Sequence, residues 1–205
     1  MSLRDRKRAR TRQALIDAGA ELFERQGYDG TTVADIAAAA EIGTRTFFSY
    51  FASKEELLFP DADERIRAAE EAIASRGPDD GPADVLLRAL RTSARDTDLL
   101  SPIAARRIEL IRTVPAVRGR ALQIQLDAQR VIADRLAEAF PDRLDPVTAA
   151  ALTGAFVGAV TGALQVLLAG PVTDAQAVRT ALQTATDVAL APWQHHTARG
   201  AAART

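Results

Sequence analysis

The 205-residue sequence predicts an all-α protein of about nine helices. Three observations lead there. No segment alternates apolar and polar residues with period two, so no sheet is expected. Clusters rich in Pro, Gly and Asp cut the chain into segments of helical length. Several of those segments open on N-capping residues and carry apolar side chains at spacings of three and four.

The first helix is expected over residues 9–26, with Leu15, Gly19, Leu22 and Phe23 on one apolar face and Ile16 and Ala20 beside it. Gly27 suits the position just past a helix end, and Tyr28 can fold back onto that end. Thr32 can cap a second, short helix, with Asp35 three residues on completing a capping box. Val33, Ile36, Ala37 and Ala40 share its apolar face, and Glu41-Ile42-Gly43 breaks the pattern. A third helix follows from Thr44 to about Tyr50, with Phe47, Tyr50 and Phe51 available to pack inward. Small Ala37 opposite Ile42 and Phe47 lets the second and third helices cross closely, as a helix-turn-helix requires. Ser53-Lys54-Glu55-Glu56 reads as a capping box opening a fourth helix that runs to about Ser75.

This ordered set is an amphipathic helix, Gly-Tyr-x-x-Thr-Thr, a short helix, a turn and then TRTFFSYFASKEELL. Over about residues 10–59 it resembles the DNA-binding domain of the TetR family of bacterial transcriptional regulators. The resemblance implies a homodimer that binds a palindromic double-stranded DNA operator and responds to a small-molecule effector, most often as a repressor. Carried onto matching positions, it makes Thr44 and Arg45 candidates for base edges, and an Arg there can bond guanine O6 and N7 together. Thr46, Ser49 and Tyr50 become candidates for phosphate or sugar, and Thr32 and Lys54 for phosphate clamps at helix starts. For Arg45 the bland alternative is a solvated arginine, and for Tyr50 a core aromatic. Three positions depart from the family pattern. Glu41 stands where the family has Gly in the turn, which strains the backbone if positive φ is required. Gly43 stands where Ser or Thr caps the recognition helix, and Phe48 where Tyr is common, so two hydroxyls are missing.

Composition is that of an ordinary soluble chain, 47% apolar and 26% charged, with no cysteine and so no disulfide or thiolate metal site. The N-terminus is basic without an apolar segment behind it, so no secretory signal is expected and a cytoplasmic location is. Residues 1–12 hold Arg4, Arg6, Lys7, Arg8, Arg10 and Arg12 against Asp5 alone, a local +5 that leaves −6 on the rest of a chain whose total is −1. A basic end on an acidic body points to a polyanion partner there; the alternative is a solvated tail.

Beyond the fourth helix, Arg76-Gly77-Pro78-Asp79-Asp80-Gly81 is a loop. Pro82 suits the first position of a fifth helix with Val85, Leu86, Leu87 and Leu90 inside. Ser101-Pro102 opens a sixth, which Pro115 ends or kinks, and residues 116–140 form a long seventh. Asp145-Pro146 opens the eighth and Gly170-Pro171 closes it; Thr173 with Gln176 caps the ninth, which fades before Pro192. The expected division is a DNA-binding domain with a basic arm at 1–53, an effector-binding and dimerisation domain at 54–192 and a flexible tail at 193–205.

Residues 146–173 carry no charge and are long enough to span a bilayer. They are mainly Ala, Gly and Thr, with Gln165 inside and Asp145 and Asp174 at the flanks, and lack a basic cytoplasmic flank. A soluble helix buried on nearly all sides is the better expectation, with no membrane partner. Gly154, Gly158 and Gly162 recur every fourth residue, a smooth stripe that lets another helix approach. The family places its dimer contact on the last two long helices, so the stripe is a candidate dimer interface; packing inside one chain is the alternative.

No catalytic constellation, cofactor loop or metal set is evident, and both histidines, His195 and His196, lie in the tail. An enzyme is not expected. The run from Ala105 to Arg118 resembles a subgroup with acyl-CoA-like effectors. It makes Arg106, Arg107 and Arg112 candidates for an anionic effector, against the alternative of surface arginines paired with acids. A second function class stays open, a helical small-molecule binding module whose helix-turn-helix is vestigial.

Overall fold

The computed structural model describes residues 2–93, 102–167 and 175–194. Among them are nine α-helices, one 3₁₀ helix and no strand: α1 Leu3–Gln26, α2 Val33–Ala39, α3 Thr44–Phe47, the 3₁₀ helix Lys54–Leu58, α4 Ala62–Ala74, α5 Pro82–Ser93, α6 Pro102–Thr113, α7 Pro115–Ala139, α8 Pro146–Leu167 and α9 Ala175–Gln194. The expectations for Ser101, Gly170-Pro171, Thr173 and the two histidines fall outside the described residues.

The chain divides into two compact units. The first holds Met1–Pro60 and Glu109–Ala121, and the second Asp61–Ile108 and Leu122–Thr205. In the first unit, Leu15, Leu22 and Phe23 of α1, Ile36 and Ala37 of α2, Phe47 of α3, Phe51, and Leu57 and Leu58 of the 3₁₀ helix are buried. Gly19 is small for a reason: a Cβ there would stand 2.7 Å from Leu57 Cδ1, so α1 and the 3₁₀ helix meet almost backbone to side chain. Tyr28 does fold back, its ring 5.4 Å from Phe23, and Gly27 ends α1 at φ +79°. The core of the second unit gathers Ile73, Val85, Leu86, Ile132, Leu136, Phe140, Leu152, Phe156 and Leu190.

Several expected boundaries move, each for a local reason. α1 begins at Leu3 rather than residue 9, because Ser2 and Asp5 form a capping box that draws the basic arm into the helix. The single fourth helix is two elements. Pro60 cannot donate to a helix and pushes Phe59 out of helical geometry, to φ −126° and ψ 51°. Ser53 makes no side-chain cap; instead the Glu56 carboxylate accepts the Ala52 N–H at 2.8 Å. α9 runs through Pro192, whose missing N–H costs only one bond in the last turn, while Trp193 packs against the second-unit core. α8 is not buried on nearly all sides. Ala149, Leu152, Thr153 and Phe156 face inward, and the other residues of the helix are half-buried or exposed. By length and composition alone, α8 is the one described helix that could cross a membrane.

Candidate nucleic-acid interface

The helix-turn-helix is built from the turn outward. Thr32 and Asp35 form the expected capping box at the start of α2: Thr32 N–H donates to Asp35 Oδ2 at 2.9 Å and Asp35 N–H to Thr32 Oγ1 at 3.2 Å. Hydrogen bonds donated by the Thr32 hydroxyl and then by its N–H hold the Asp35 carboxyl below its ordinary pKa. At the far end of α2, Ile42 N–H reaches the Ala37 carbonyl at 2.9 Å and Glu41 N–H the Ala38 carbonyl at 3.0 Å. This pair of bonds is a Schellman closure, and it puts Glu41 in the left-handed region at φ +56°. The position does require positive φ, and glutamate carries the strain.

Gly43 then starts α3 without a side-chain cap, its carbonyl accepting from Thr46 and Phe47 N–H at 2.9 and 3.1 Å. The α-helix proper lasts one turn, shorter than the expected run to Tyr50; beyond it Ser49 and Tyr50 bond back three residues and the coil tightens. Phe47 anchors this element, fully buried, with Phe51 3% exposed and 5.8 Å from it between ring centroids. Thr44, Arg45, Thr46, Phe48 and Ser49 lie on the outside. Phe47 is therefore a peg and its polar neighbours are the presented surface.

The predicted contact residues differ in how free they are. Thr44, Arg45 and Thr46 are exposed. Ser49 Oγ donates to the Thr46 carbonyl at 2.7 Å. The Thr32 hydroxyl donates to Asp35 Oδ2 at 2.7 Å, so its proton is already in use. Tyr50 is half-buried beneath the Arg8 guanidinium, 5.2 Å from its ring centroid. Lys54 has the most constrained place. Its Nζ donates to the Tyr28 carbonyl at 2.7 Å and the Thr31 carbonyl at 2.8 Å, and stands 4.0 Å from the centre of the Tyr28 ring. Two of its three donors are thus engaged.

Beside it, Tyr28 Oη donates to the Glu55 carboxylate. Burial first, then Glu55, pushes the Tyr28 phenol well above its ordinary pKa. Burial works to raise Glu55 too, but hydrogen bonds from Ser53 and Tyr28 and the charge of Lys54 outweigh it, and the carboxyl is lowered.

Two residues that sequence reasoning counted only as charge have structural jobs. Arg12 donates to the Pro60 carbonyl at 3.0 Å and lies 5.0 Å above the Phe51 ring, while Arg8 covers Tyr50. Their four-residue spacing on α1 was the available signal. Together they brace the segment after α3 against α1, each stacked cation contributing about 0.5–1 kcal/mol. Arg120 adds a brace from the start of α7, pairing with Glu56 at 2.8 Å.

Residues 15–59 match the sequence model of the tetR family of bacterial regulatory proteins, and residues 80–189 match that of the MftR C-terminal domain. The HTH-type transcriptional regulator TcmR of Streptomyces glaucescens is 33% identical over 195 residues, covering 90% of this chain and 85% of its own. The chain belongs to the TetR family. It is a helix-turn-helix transcriptional regulator with the family's all-α fold. TetR-family structures agree with that fold at lower identity. The Thermus thermophilus repressor FadR, solved with lauroyl-CoA, has a TM-score of 0.52 at 22% identity, over 86% of this chain and 93% of its own. A TetR-family protein from Syntrophomonas wolfei reaches 0.61 at 18%, over 89% and 96%.

The effector candidates split between the units: Arg106 and Arg107 lie in the second and Arg112 in the first. Arg107 is 12% exposed and 3.6 Å from the Asp61 carboxylate. The glycine stripe is open within one chain, since a Cβ added at Gly154, Gly158 or Gly162 meets nothing within 4 Å.

Proposed function

We propose that this regulator is a cytoplasmic homodimeric repressor that reads a palindromic operator with two copies of the segment Thr44–Tyr50. The observation that carries the reading is the exposed Thr44-Arg45-Thr46 edge on a one-turn helix pegged by buried Phe47. Arg45 reads a guanine in each half-site, Thr44 an adjoining base edge, and Thr46, Ser49 and Tyr50 hold phosphate or sugar. Lys54 adds its remaining donor to a phosphate; Thr32 contributes through its position rather than its engaged hydroxyl. The half-sites stand about one helical turn apart, roughly 34–36 Å or a little more.

The dimer forms through α8 and α9. The open stripe Gly154, Gly158 and Gly162 supports this, as do exposed Val166 on α8 and Val188 on α9, 78% and 76% exposed. A small-molecule effector in the second unit releases the operator, for which a coupling of about 1–3 kcal/mol suffices. An apolar, acyl-CoA-like effector is the candidate class. Its anionic end would meet Arg106 or Arg107 of that unit, displacing Asp61 from Arg107 where it engages that residue.

A gel-shift titration against the DNA upstream of the protein's own gene tests the reading. Retardation at concentrations that leave unrelated DNA free is expected. Equal affinity for both at one salt concentration would leave the vestigial-module reading standing.

A further inference from the structure

Phe48 is the one large apolar side chain left in water on the presented surface of the reading element. It is 57% exposed, while Phe47 beside it is fully buried. Its backbone is still helical, at φ −66° and ψ −10°, and its N–H bonds to the Thr44 carbonyl at 3.2 Å. It follows Arg45 by three residues and Thr44 by four, so the three side chains share one face. The ring stands edge-on against Phe47 at 83°, with 5.4 Å between centroids, so one side of it is already packed.

Single exposed apolar residues are common on protein surfaces, but this one is placed by its neighbours. They are Thr44, Arg45 and Ser49, and the same unit carries the basic arm. A protein partner would need a wider apolar patch, whereas a polyanion fits the charge. Phenylalanine has no hydroxyl for a phosphate. The apolar group that the major groove offers is the C5-methyl of thymine, which sets an A·T pair apart from a G·C pair.

We propose that Phe48 is a specificity-determining residue, its ring covering the methyl group of one thymine in each half-site next to the base read by Arg45. This rests on the DNA-reading role of Thr44–Tyr50 set out above.

The test uses duplexes that the full-length protein selects from a random pool. Each thymine is replaced in turn, symmetrically in both half-sites, by deoxyuridine, which lacks only the methyl. Affinities are measured at one salt concentration for the parent, Phe48→Leu and Phe48→Ala, with thermal melting to show that the exposed substitutions leave the fold intact. At one thymine per half-site, deoxyuridine is expected to cost the parent about fourfold per half-site, as burial of one methyl supplies. Phe48→Ala is expected to bind the two duplexes equally, and Phe48→Leu to show a reduced penalty. A penalty that persists unchanged in both variants, or the lack of any such thymine, overturns the proposal. A parent that selects no duplex overturns the DNA-reading function itself, a distinct failure.

Discussion

On the proposed function, Arg45 reads a base and Lys54 holds a phosphate, and the two roles can be separated. Arg45 is exposed at the start of α3, and no acid among the described residues pairs with it; Lys54 is threaded between the Tyr28 and Thr31 carbonyls. Arg45→Ala should lose about 1–3 kcal/mol of preference for the operator over a one-base variant, while the slope of affinity against salt changes little. Lys54→Ala should weaken binding to all duplexes alike and lower the salt slope by about one. It should also destabilise the fold by about 2 kcal/mol, because two carbonyls lose a charged donor. Operator titrations at several salt concentrations, with thermal melting beside them, check both. Unchanged discrimination in Arg45→Ala would remove it from the readout. Glu41 offers a third residue-scale prediction. Its φ of +56° costs a non-glycine residue about 1 kcal/mol, so Glu41→Gly should raise stability by up to about that amount in denaturant titration. What was legible at this scale was short-range: the Thr32–Asp35 box, the Gly27 terminus and the buried peg Phe47 all follow from neighbours within four residues. The Lys54 contacts span 23 and 26 residues, and no local pattern announces them.

At the scale of elements, two prolines show where sequence reading holds and where it slips. Pro60 divides what looked like one helix because it falls just after the 3₁₀ helix, where Phe59 must leave helical geometry and nothing restores it. Pro192 was expected to mark an end and does not, because tertiary packing of Trp193 outweighs one lost bond in a terminal turn. Caps read better than ends, since a cap is a contact between near neighbours. Asp145 is such a case. Its Oδ1 accepts Val147 N–H at 2.8 Å and Thr148 N–H at 2.9 Å, and the Thr148 bonds hold its pKa below the ordinary 3.8. The sign is that of a depressed acid: the stabilisation is complete above the unfolded pKa and is lost as pH falls through the lower folded value. Asp145→Asn keeps an acceptor but cannot titrate. The stability gap between parent and variant, measured by thermal melting, should be steady above about pH 5 and close as pH falls below 3.8. A gap that widens on acidification would show that Asp145 is not the group stabilising the start of α8.

For the whole molecule, the proposed pairing of two chains rests on one surface of α8. Sequence reading took this uncharged helix to be enclosed, because composition reports how apolar a helix is and not which partner covers it. In the single chain, Leu152 and Phe156 pack inward while Ala150, Ala155, Gly158 and Val166 stay exposed. An apolar helix left this bare is ordinary only if something covers it in solution. The glycines name the kind of cover, since a stripe without side chains suits a helix that approaches closely along its length. Gly158→Leu turns this into a measurement. The new side chain meets nothing within 4 Å at its Cβ, and leucine is a better helix former than glycine, which stands about 0.8–1 kcal/mol below alanine, so the isolated chain has no reason to unfold. A partner helix lying on the stripe would have to move away. Sedimentation velocity should find the parent at twice 21.9 kDa and Gly158→Leu shifted toward the single-chain mass. Affinity for a two-half-site operator should fall in step, while affinity for a duplex with one half-site stays near the parent's. If Gly158→Leu sediments as the parent does, the stripe is not the contact, and the pairing of the two reading heads must come from another face.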